Sequence, residues 1–207
     1  MEKLDLTKKY KTYFTAKTSP ELVTIEPAQF ISIRGKGDPS GDTFARNIEA
    51  LYSTVYTLKF ASKDKGKDFV VSKLEGLWWY DEEKYTGQAM ADTPVDIPRS
   101  EWEYRLLIRL PDFVTEADLE ASKTAVIVKK NNQFISQVEF YTMTEGKCVQ
   151  VLHIGPFSTE PETLRKIMAF SEANKLERNG MHHEIYLSDF RKTAPGKLKT
   201  ILREPVK

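Results

Sequence analysis

The sequence lacks several features that define large classes of proteins. Cys148 is the only cysteine among the 207 residues, so no internal disulfide framework can form and a reducing compartment is expected. No stretch approaches the roughly 20 apolar residues needed to cross a bilayer. The first residues, MEKLDLTKKYKTYF, also lack the apolar core of a signal peptide. The sequence therefore predicts a cytoplasmic protein with no membrane partner.

An excess of one charge is missing as well. Lys plus Arg number 31 and Asp plus Glu number 30, so the chain has no broad electrostatic attraction to nucleic acid. The glycines between positions 35 and 42 are not followed by the GK[ST] of a phosphate loop, and no serine lies in a GxSxG motif. The three histidines and the single cysteine have no metal-ligand spacing. We therefore expect no metal and no cofactor.

Aromatic residues are what the chain has in quantity. It contains 9 Tyr, 11 Phe and 3 Trp, and two short segments, LWWY at 77–80 and EWEYR at 101–105, crowd large rings together. Such rings either fill a core or form the walls of a pocket for a flat ligand. For each ring taken singly, both interpretations stay open.

The first half of the chain alternates between strand and helix signals. QFISIRGK from Ala28 predicts a strand, and a helix follows from about Asp42, capped by Asp42 or Thr43, with apolar residues at helical spacing. Segments 68–80 and 102–110 are rich in strand formers. Residues 1–20 are polar and lysine-rich, which predicts a loosely held arm.

The second half repeats this order. A helix from Thr115 to about Lys130 links the halves; a strand at 147–157, a helix from Glu160 to Asn179 ended by Gly180, and strands at 182–190 and 198–206 follow. The pattern predicts an α+β fold of two pseudo-symmetric strand–helix–strand–strand repeats, whose antiparallel sheets form a central ligand groove. In a single domain spanning 1–207, repeat one covers about 25–114, the linking helix about 115–131 and repeat two about 147–207.

Three runs in the second half carry a resemblance to a known family: VQVLHIGPF at 149–157, HEIYLSD at 183–189 and KTILREPV at 199–206. With the early strand Phe30–Arg34 and WEYRLLIRLPDFV, they resemble the GyrI-like small-molecule-binding family over about residues 20–207. The resemblance implies the same two-repeat fold. Regulators of that family carry a helix-turn-helix module ahead of this domain, and about 27 residues are too few for one. We therefore expect a stand-alone ligand domain, as a monomer or weak homodimer.

Glu184 is the first candidate for chemistry. It lies among strand formers, in register with Tyr186 and Ser188 on one strand face. The resemblance implies a glutamate in the ligand pocket that meets cationic drugs or, in hydrolytic members, orients or deprotonates a water molecule. The alternative is an exposed strand glutamate paired with a lysine.

The paired tryptophans lie on opposite faces of a regular strand, so only one of Trp78 and Trp79 can face the groove. By analogy with the position of Glu184 in its repeat, Glu75, Leu77 and Trp79 share the groove face, whereas a shift of one residue brings Trp78 and Tyr80 there instead. The other candidate ligand contacts are aromatic residues or methionine on neighbouring strands, some of them as a pliable rim: Trp102, Tyr104, Phe140, Tyr141, Met143 and Tyr186.

Two functions remain open from the sequence. Some stand-alone members that resemble this chain, with paired aromatics in the first half, are hydrolases that open the cyclopropane ring of DNA-alkylating natural products and so detoxify them. The resemblance thus implies a hydrolase in which Glu184 activates water. The alternative is a non-catalytic protein that binds or sequesters multiple drugs or lipophilic cations. In both cases the partner is an aromatic small molecule.

Overall fold

A computed structural model describes residues 3–130 and 132–207, and it shows one eight-stranded antiparallel sheet flanked by helices. The strand order is β1-β6-β8-β7-β3-β4-β2-β5. The strands are β1 Glu21–Ile25, β2 Ala28–Lys36, β3 Leu74–Trp79, β4 Glu103–Arg109, β5 Glu139–Met143, β6 Gly146–Ile154, β7 His182–Tyr186 and β8 Lys199–Pro205. The helices are α1 Leu6–Lys9, α2 Lys11–Phe14, α3 Asp42–Asp64, α4 Thr93–Asp96, α5 Glu116–Ile127 and α6 Glu160–Ala173.

The sheet is built from two equivalent halves. One half follows the chain order β2-α3-β3-β4 and the other follows β6-α6-β7-β8. In the sheet these halves run β3-β4-β2 and β7-β8-β6, and they meet where β3 pairs with β7. This symmetry confirms the predicted α+β fold with two strand–helix–strand–strand repeats.

The two long helices leave the centre of the sheet without a helical cover. Helix α3 packs over β2 and β4, whereas α6 packs over β6 and β8. Strands β3 and β7 lie between them. We use the name central groove for the surface over β3 and β7 between α3 and α6.

The N-terminal segment is not the loosely held arm that its lysines suggested. Leu6, Tyr13 and Phe14 are buried, and they pack against the face of the sheet opposite α3 and α6. Backbone hydrogen bonds join Leu4 to Asp68 and Val70. The apolar residues that anchor this segment are spaced among lysines that remain at the surface. Residues 1 and 2 lie outside the described residues.

Two predicted helix ends also differ. Helix α3 has Gly41 as its N-cap, without a side-chain cap from Asp42 or Thr43. Helix α6 stops at Ala173, where the Leu176 N–H donates to the Ser171 carbonyl in a Schellman-type end. Lys175 takes the left-handed conformation there, with φ of 55°.

Strands β1 and β5 were not predicted, and each pairs with only one neighbour at an edge of the sheet. Gly180, expected to end α6, instead packs against Pro205 of β8. Among the described residues, no helix is both long enough and apolar enough to cross a membrane.

Candidate functional site

The floor of the central groove comes from paired residues of β3 and β7. Gly76 lies opposite Glu184, and Trp78 lies opposite His182. Directly opposed residues project to the same face of an antiparallel pair, so Trp78, His182 and Glu184 share the groove face with Tyr186.

Gly76 makes room for a contact above it. A Cβ at this position would lie 2.7 Å from Trp78 Nε1 and 3.0 Å from the Tyr186 hydroxyl oxygen. With no side chain in the way, Trp78 Nε1 donates to that hydroxyl oxygen at 3.1 Å. Glycine opposite Glu184 therefore allows two aromatic side chains to meet beside the carboxylate.

Glu184 is held by a charged histidine. Its Oε1 lies 3.3 Å from His182 Nε2, and its side chain is 13% exposed. His182 Nδ1 contacts the buried carboxylate of Glu204. Burial alone lowers the pKa of a histidine, but the carboxylates of Glu204 and Glu184 raise the pKa of His182 to about 10. At neutral pH, His182 is therefore an imidazolium between two carboxylates.

A second acid, Glu160, interacts electrostatically with Glu184. Glu160 is the first residue of α6 and is buried, and its Oε1 has no partner among the described residues. Burial, together with the negative charge of Glu184, raises the pKa of Glu160 well above its ordinary value. The helix N-terminus favours an ionised carboxylate, but burial dominates here. Burial and the nearby Glu184 thus both favour the protonated form of Glu160.

Aromatic rings flank these acids on both sides. On the α3 side, Trp78 stacks on Phe44 at 5.9 Å between ring centroids and contacts Tyr104 at 5.5 Å. Trp102 lies 6.4 Å from Trp78, and Tyr80 lies 5.4 Å from Trp102.

On the α6 side, Tyr186 makes edge contacts with Phe157 at 6.0 Å and with Phe190 at 5.7 Å. Phe157 is 38% exposed and lies just ahead of α6, so it forms the open rim of the groove. Aromatic side chains therefore lie on both sides of the two acids.

A comparison with known domain families identifies the family of this chain. Residues 18–207 match the GyrI-like small-molecule-binding domain. The chain belongs to the GyrI-like family. No curated protein matches it.

Solved GyrI-like structures include close relatives of this chain. An uncharacterised conserved protein from Listeria innocua is 37% identical, with a TM-score of 0.88, and the alignment covers 99% of this chain and 100% of that one. A hydrolase from Listeria innocua is also 37% identical, with a TM-score of 0.85 and the same coverage. The C-terminal domain of EcmrR shares the fold at 13% identity, with a TM-score of 0.58 and coverage of 91% and 97%.

Only one of the two adjacent tryptophans in this GyrI-like chain lies in the central groove. Trp78 faces the groove, whereas Glu75, Leu77 and Trp79 lie on the opposite face of β3. The analogy that placed Glu75 and Trp79 beside Glu184 was wrong by one residue. Trp79 instead packs against the Arg34 guanidinium, 5.3 Å from its ring centroid.

The other predicted contacts divide into two groups. Tyr80, Trp102 and Tyr186 lie among the rings that flank the groove, whereas Tyr104 is fully buried in the core, so its prediction as a ligand contact was wrong. The predicted rim residues do not approach Glu184, because β5 is separated from β7 by β2, β4 and β3. Those residues are Phe140, Tyr141 and Met143.

The opposite face of β3 and β7 holds a second buried cluster. His183 bridges Glu75 and Glu145, at 3.0 Å and 2.8 Å. Arg203 lies 3.1 Å from Glu145, and the Tyr13 hydroxyl donates to Glu75. This cluster lies under the N-terminal segment and has no open side, so Glu75 is a structural residue and not a ligand contact.

Sequence reasoning missed His182, Glu204, Glu160 and Phe157 as site residues. Their meeting depends on pairing between distant segments, and no local motif signals it. Cys148 is buried, and burial raises the pKa of its thiol to about 12. In residues 3–130 and 132–207, no group of His, Cys, Asp and Glu side chains could hold a metal ion.

Proposed function

We propose that this protein is a hydrolase that opens the strained ring of flat, aromatic, electrophilic xenobiotics. One observation carries the proposal: Glu184 lies 3.3 Å from His182 on the floor of the groove, and it interacts with the buried Glu160, whose pKa is raised well above its ordinary value. Two carboxyl groups in opposite protonation states are suited to general-base and general-acid roles. A Listeria innocua hydrolase that is 37% identical along its whole length supports hydrolytic chemistry.

Glu184 serves as the general base in this proposal. The ion pair with His182, 3.3 Å from Nε2 to Glu184 Oε1, fixes the orientation of its carboxylate toward the groove. A water molecule on the remaining face of the carboxylate loses its proton to Glu184 as its oxygen attacks a cyclopropane carbon of the substrate.

Glu160 serves as the proton donor. As the water oxygen forms its bond to carbon, the ring C–C bond breaks and its electron pair moves through the conjugated ring to a carbonyl oxygen. That oxygen takes the proton of Glu160, and Glu160 regains a proton when Glu184 releases the one it accepted. The net reaction adds one water molecule to the substrate and consumes no other reagent.

Aromatic walls position the substrate for this reaction. Trp78, Trp102 and Tyr80 on one side and Tyr186 and Phe157 on the other offer ring faces and edges, which bind flat ligands without directional hydrogen bonds. The exposed ring of Phe157 marks the side from which a ligand enters. Because a strained electrophile is already reactive, acid–base assistance of about 10² to 10⁴-fold suffices.

The second candidate is binding without turnover, and the match to a small-molecule-binding domain favours it. In that case Glu184 serves as a counter-charge to a lipophilic cation. The two functions differ in the charge of the preferred ligand and in the appearance of a product.

The deciding experiment is incubation with a cyclopropane-containing alkylator of the duocarmycin type, followed by mass spectrometry. We expect a product heavier by one water, formed over many turnovers by the wild type and slowed about 10² to 10⁴-fold in Glu184→Gln. Glu162→Gln is the control for loss of a carboxylate, because Glu162 is exposed on α6, and it should leave turnover unchanged.

The outcomes separate the two functions. Stoichiometric binding with no water-added product would mean that the protein binds the ligand without hydrolysing it. Product that forms equally fast with Glu184→Gln removes Glu184 from the mechanism even if turnover occurs.

A further inference from the structure

A cavity of about 370 Å³ lies beside the central groove, on the far side of Tyr186. It opens between α3, the segment 70–74 ahead of and entering β3, and the segment 186–191 that leaves β7. Its volume falls in the range of small-molecule sites. Neither Glu184 nor Glu160 lines it, so it is separate from the proposed catalytic groups.

Aromatic rings form one side of this cavity. Tyr52 and Tyr56 project from successive turns of α3 and stack at 6.2 Å with an angle of 27° between ring planes. Phe190 and Tyr186 line it from the other side. A flat ring inserted here contacts aromatic faces from two elements of the fold.

An unpaired hydroxyl lies inside the same cavity. Ser72 is 7% exposed, and its Oγ has no hydrogen-bond partner among the described residues. A buried hydroxyl without a partner carries a free-energy cost of roughly 1–3 kcal/mol. A ligand atom that accepts a hydrogen bond from Ser72 Oγ removes that cost.

The charges around the cavity cancel and are already engaged. Asp189 and Arg191 form an ion pair at 3.0 Å. Lys73 Nζ donates to the Leu187 carbonyl at 2.9 Å, and Asp5 accepts from Thr7. Two acids and two bases thus offer no net charge to a ligand, in contrast to the acidic groove beside Glu184.

We propose that this cavity is a second binding site, specific for a neutral, planar aromatic molecule that carries a carbonyl or similar acceptor. The ring lies against Tyr52 and Phe190, and the acceptor receives the Ser72 hydroxyl proton. The proposal does not depend on hydrolysis at Glu184. Tyr186 is shared by both sites, since its ring lines the cavity while its hydroxyl interacts with Glu184.

The test is a titration with 2-quinolone, a neutral bicyclic lactam, followed by methyl NMR of the full chain. We expect saturable shifts of the Val70, Val71 and Leu187 methyl groups. Ser72→Ala removes one hydrogen bond and should weaken binding about 3- to 10-fold. Ser136→Ala, an exposed serine elsewhere, is the matched control and should bind like the wild type.

Tyr52→Leu provides a second variant that does not touch Ser72, and it should weaken binding by a similar factor through loss of the ring contact. The proposal is overturned if 2-quinolone shifts only groove residues such as Trp78. It is also overturned if the cavity methyl groups do not move up to the solubility limit of the probe, or if Ser72→Ala binds as tightly as the wild type.

Discussion

The two faces of the β3–β7 pair carry adjacent histidines in opposite settings. His183 is wholly enclosed beneath the N-terminal segment, whereas His182 lies on the floor of the central groove. Each histidine sits between two carboxylates. The two clusters differ in burial. The enclosed cluster is structural, whereas the cluster that a ligand can reach is a candidate site.

The cluster around His183 is balanced in charge. Burial alone lowers the pKa of His183, but Glu145 and Glu75 raise it to about 9, so it is a cation at neutral pH. Despite burial, His183 and Arg203 lower the pKa of Glu145 to about 2. His183 and Arg203 thus meet the side chains of Glu145 and Glu75, all of them buried away from any ligand.

The groove cluster ends at an accessible carboxylate. Glu184 keeps 13% of its side chain exposed, and neutral Glu160 adds a proton that the back face does not offer. Perturbed titration therefore occurs on both faces, but only one face combines it with access. The comparison teaches that a shifted pKa locates a candidate site only together with a path for the ligand.

The largest loss of stability is expected when one charge is removed from the buried face of the β3–β7 pair. Arg203→Met leaves the Glu145 carboxylate buried beside one cation, and removal of one partner of a buried pair costs roughly 3–5 kcal/mol. Glu184→Gln, on the open face, should cost less than Arg203→Met, because His182 keeps its contact with Glu204. Urea denaturation of both variants measures the difference.

Arg165→Met serves as the control for arginine loss, because Arg165 pairs with Asp92 at an exposed position and should cost less than about 1 kcal/mol. If Arg203→Met were no more costly than Arg165→Met, the back-face cluster would not be the structural element that its burial indicates.

A smaller effect should follow from filling the floor of the groove. The added Cβ of Gly76→Ala meets Trp78 Nε1 and the Tyr186 hydroxyl, so it should disrupt their hydrogen bond and cost about 1–3 kcal/mol. Gly196→Ala is the matched control, because nothing lies within 4 Å of a Cβ built there. Urea denaturation followed by tryptophan fluorescence reports both stability and the Trp78 environment. Equal stability of the two variants would contradict the tight contact at Gly76.

The fold could be predicted largely because its signals are local. The apolar spacing of α3 and the strand formers of β4 and β8 lie within single segments, and their order reveals two repeats. Elements with short or interrupted apolar patterns were not predicted. In the N-terminal segment, lysines separate the buried Leu6, Tyr13 and Phe14, and the edge strand β5 has only a partly buried face. These elements form through contacts with distant parts of the sheet.

The site could be predicted only in part, for the same physical reason. Glu184 and its face were readable from strand alternation, as were opposite faces for His182 and His183. Which tryptophan joins Glu184 depends on the register of β3 against β7, and a one-residue shift exchanges the two faces. Glu160 reaches Glu184 from another element, so its role emerges only from the packing of α6.

The smallest expected effect on stability comes from the protonation state of Glu160. Its pKa is raised in the folded protein, so above its ordinary value of 4.5 the folded state holds a proton that the unfolded state releases. Stability from the neutral form is therefore present at low pH and lost as pH rises through the raised pKa. Glu160→Gln cannot ionise, so its stability relative to wild type should increase between pH 5 and pH 8 by on the order of 1 kcal/mol.

Urea denaturation across this pH range measures the effect, with Glu162→Gln as the control whose difference from wild type should stay constant. The sign is decisive, because an ionised Glu160 stabilised by the helix N-terminus predicts the reverse trend. In that case Glu160→Gln would lose stability relative to wild type as pH rises. That reverse trend would leave the groove without its neutral acid and would remove the chemical difference between the two faces that the proposed hydrolysis requires.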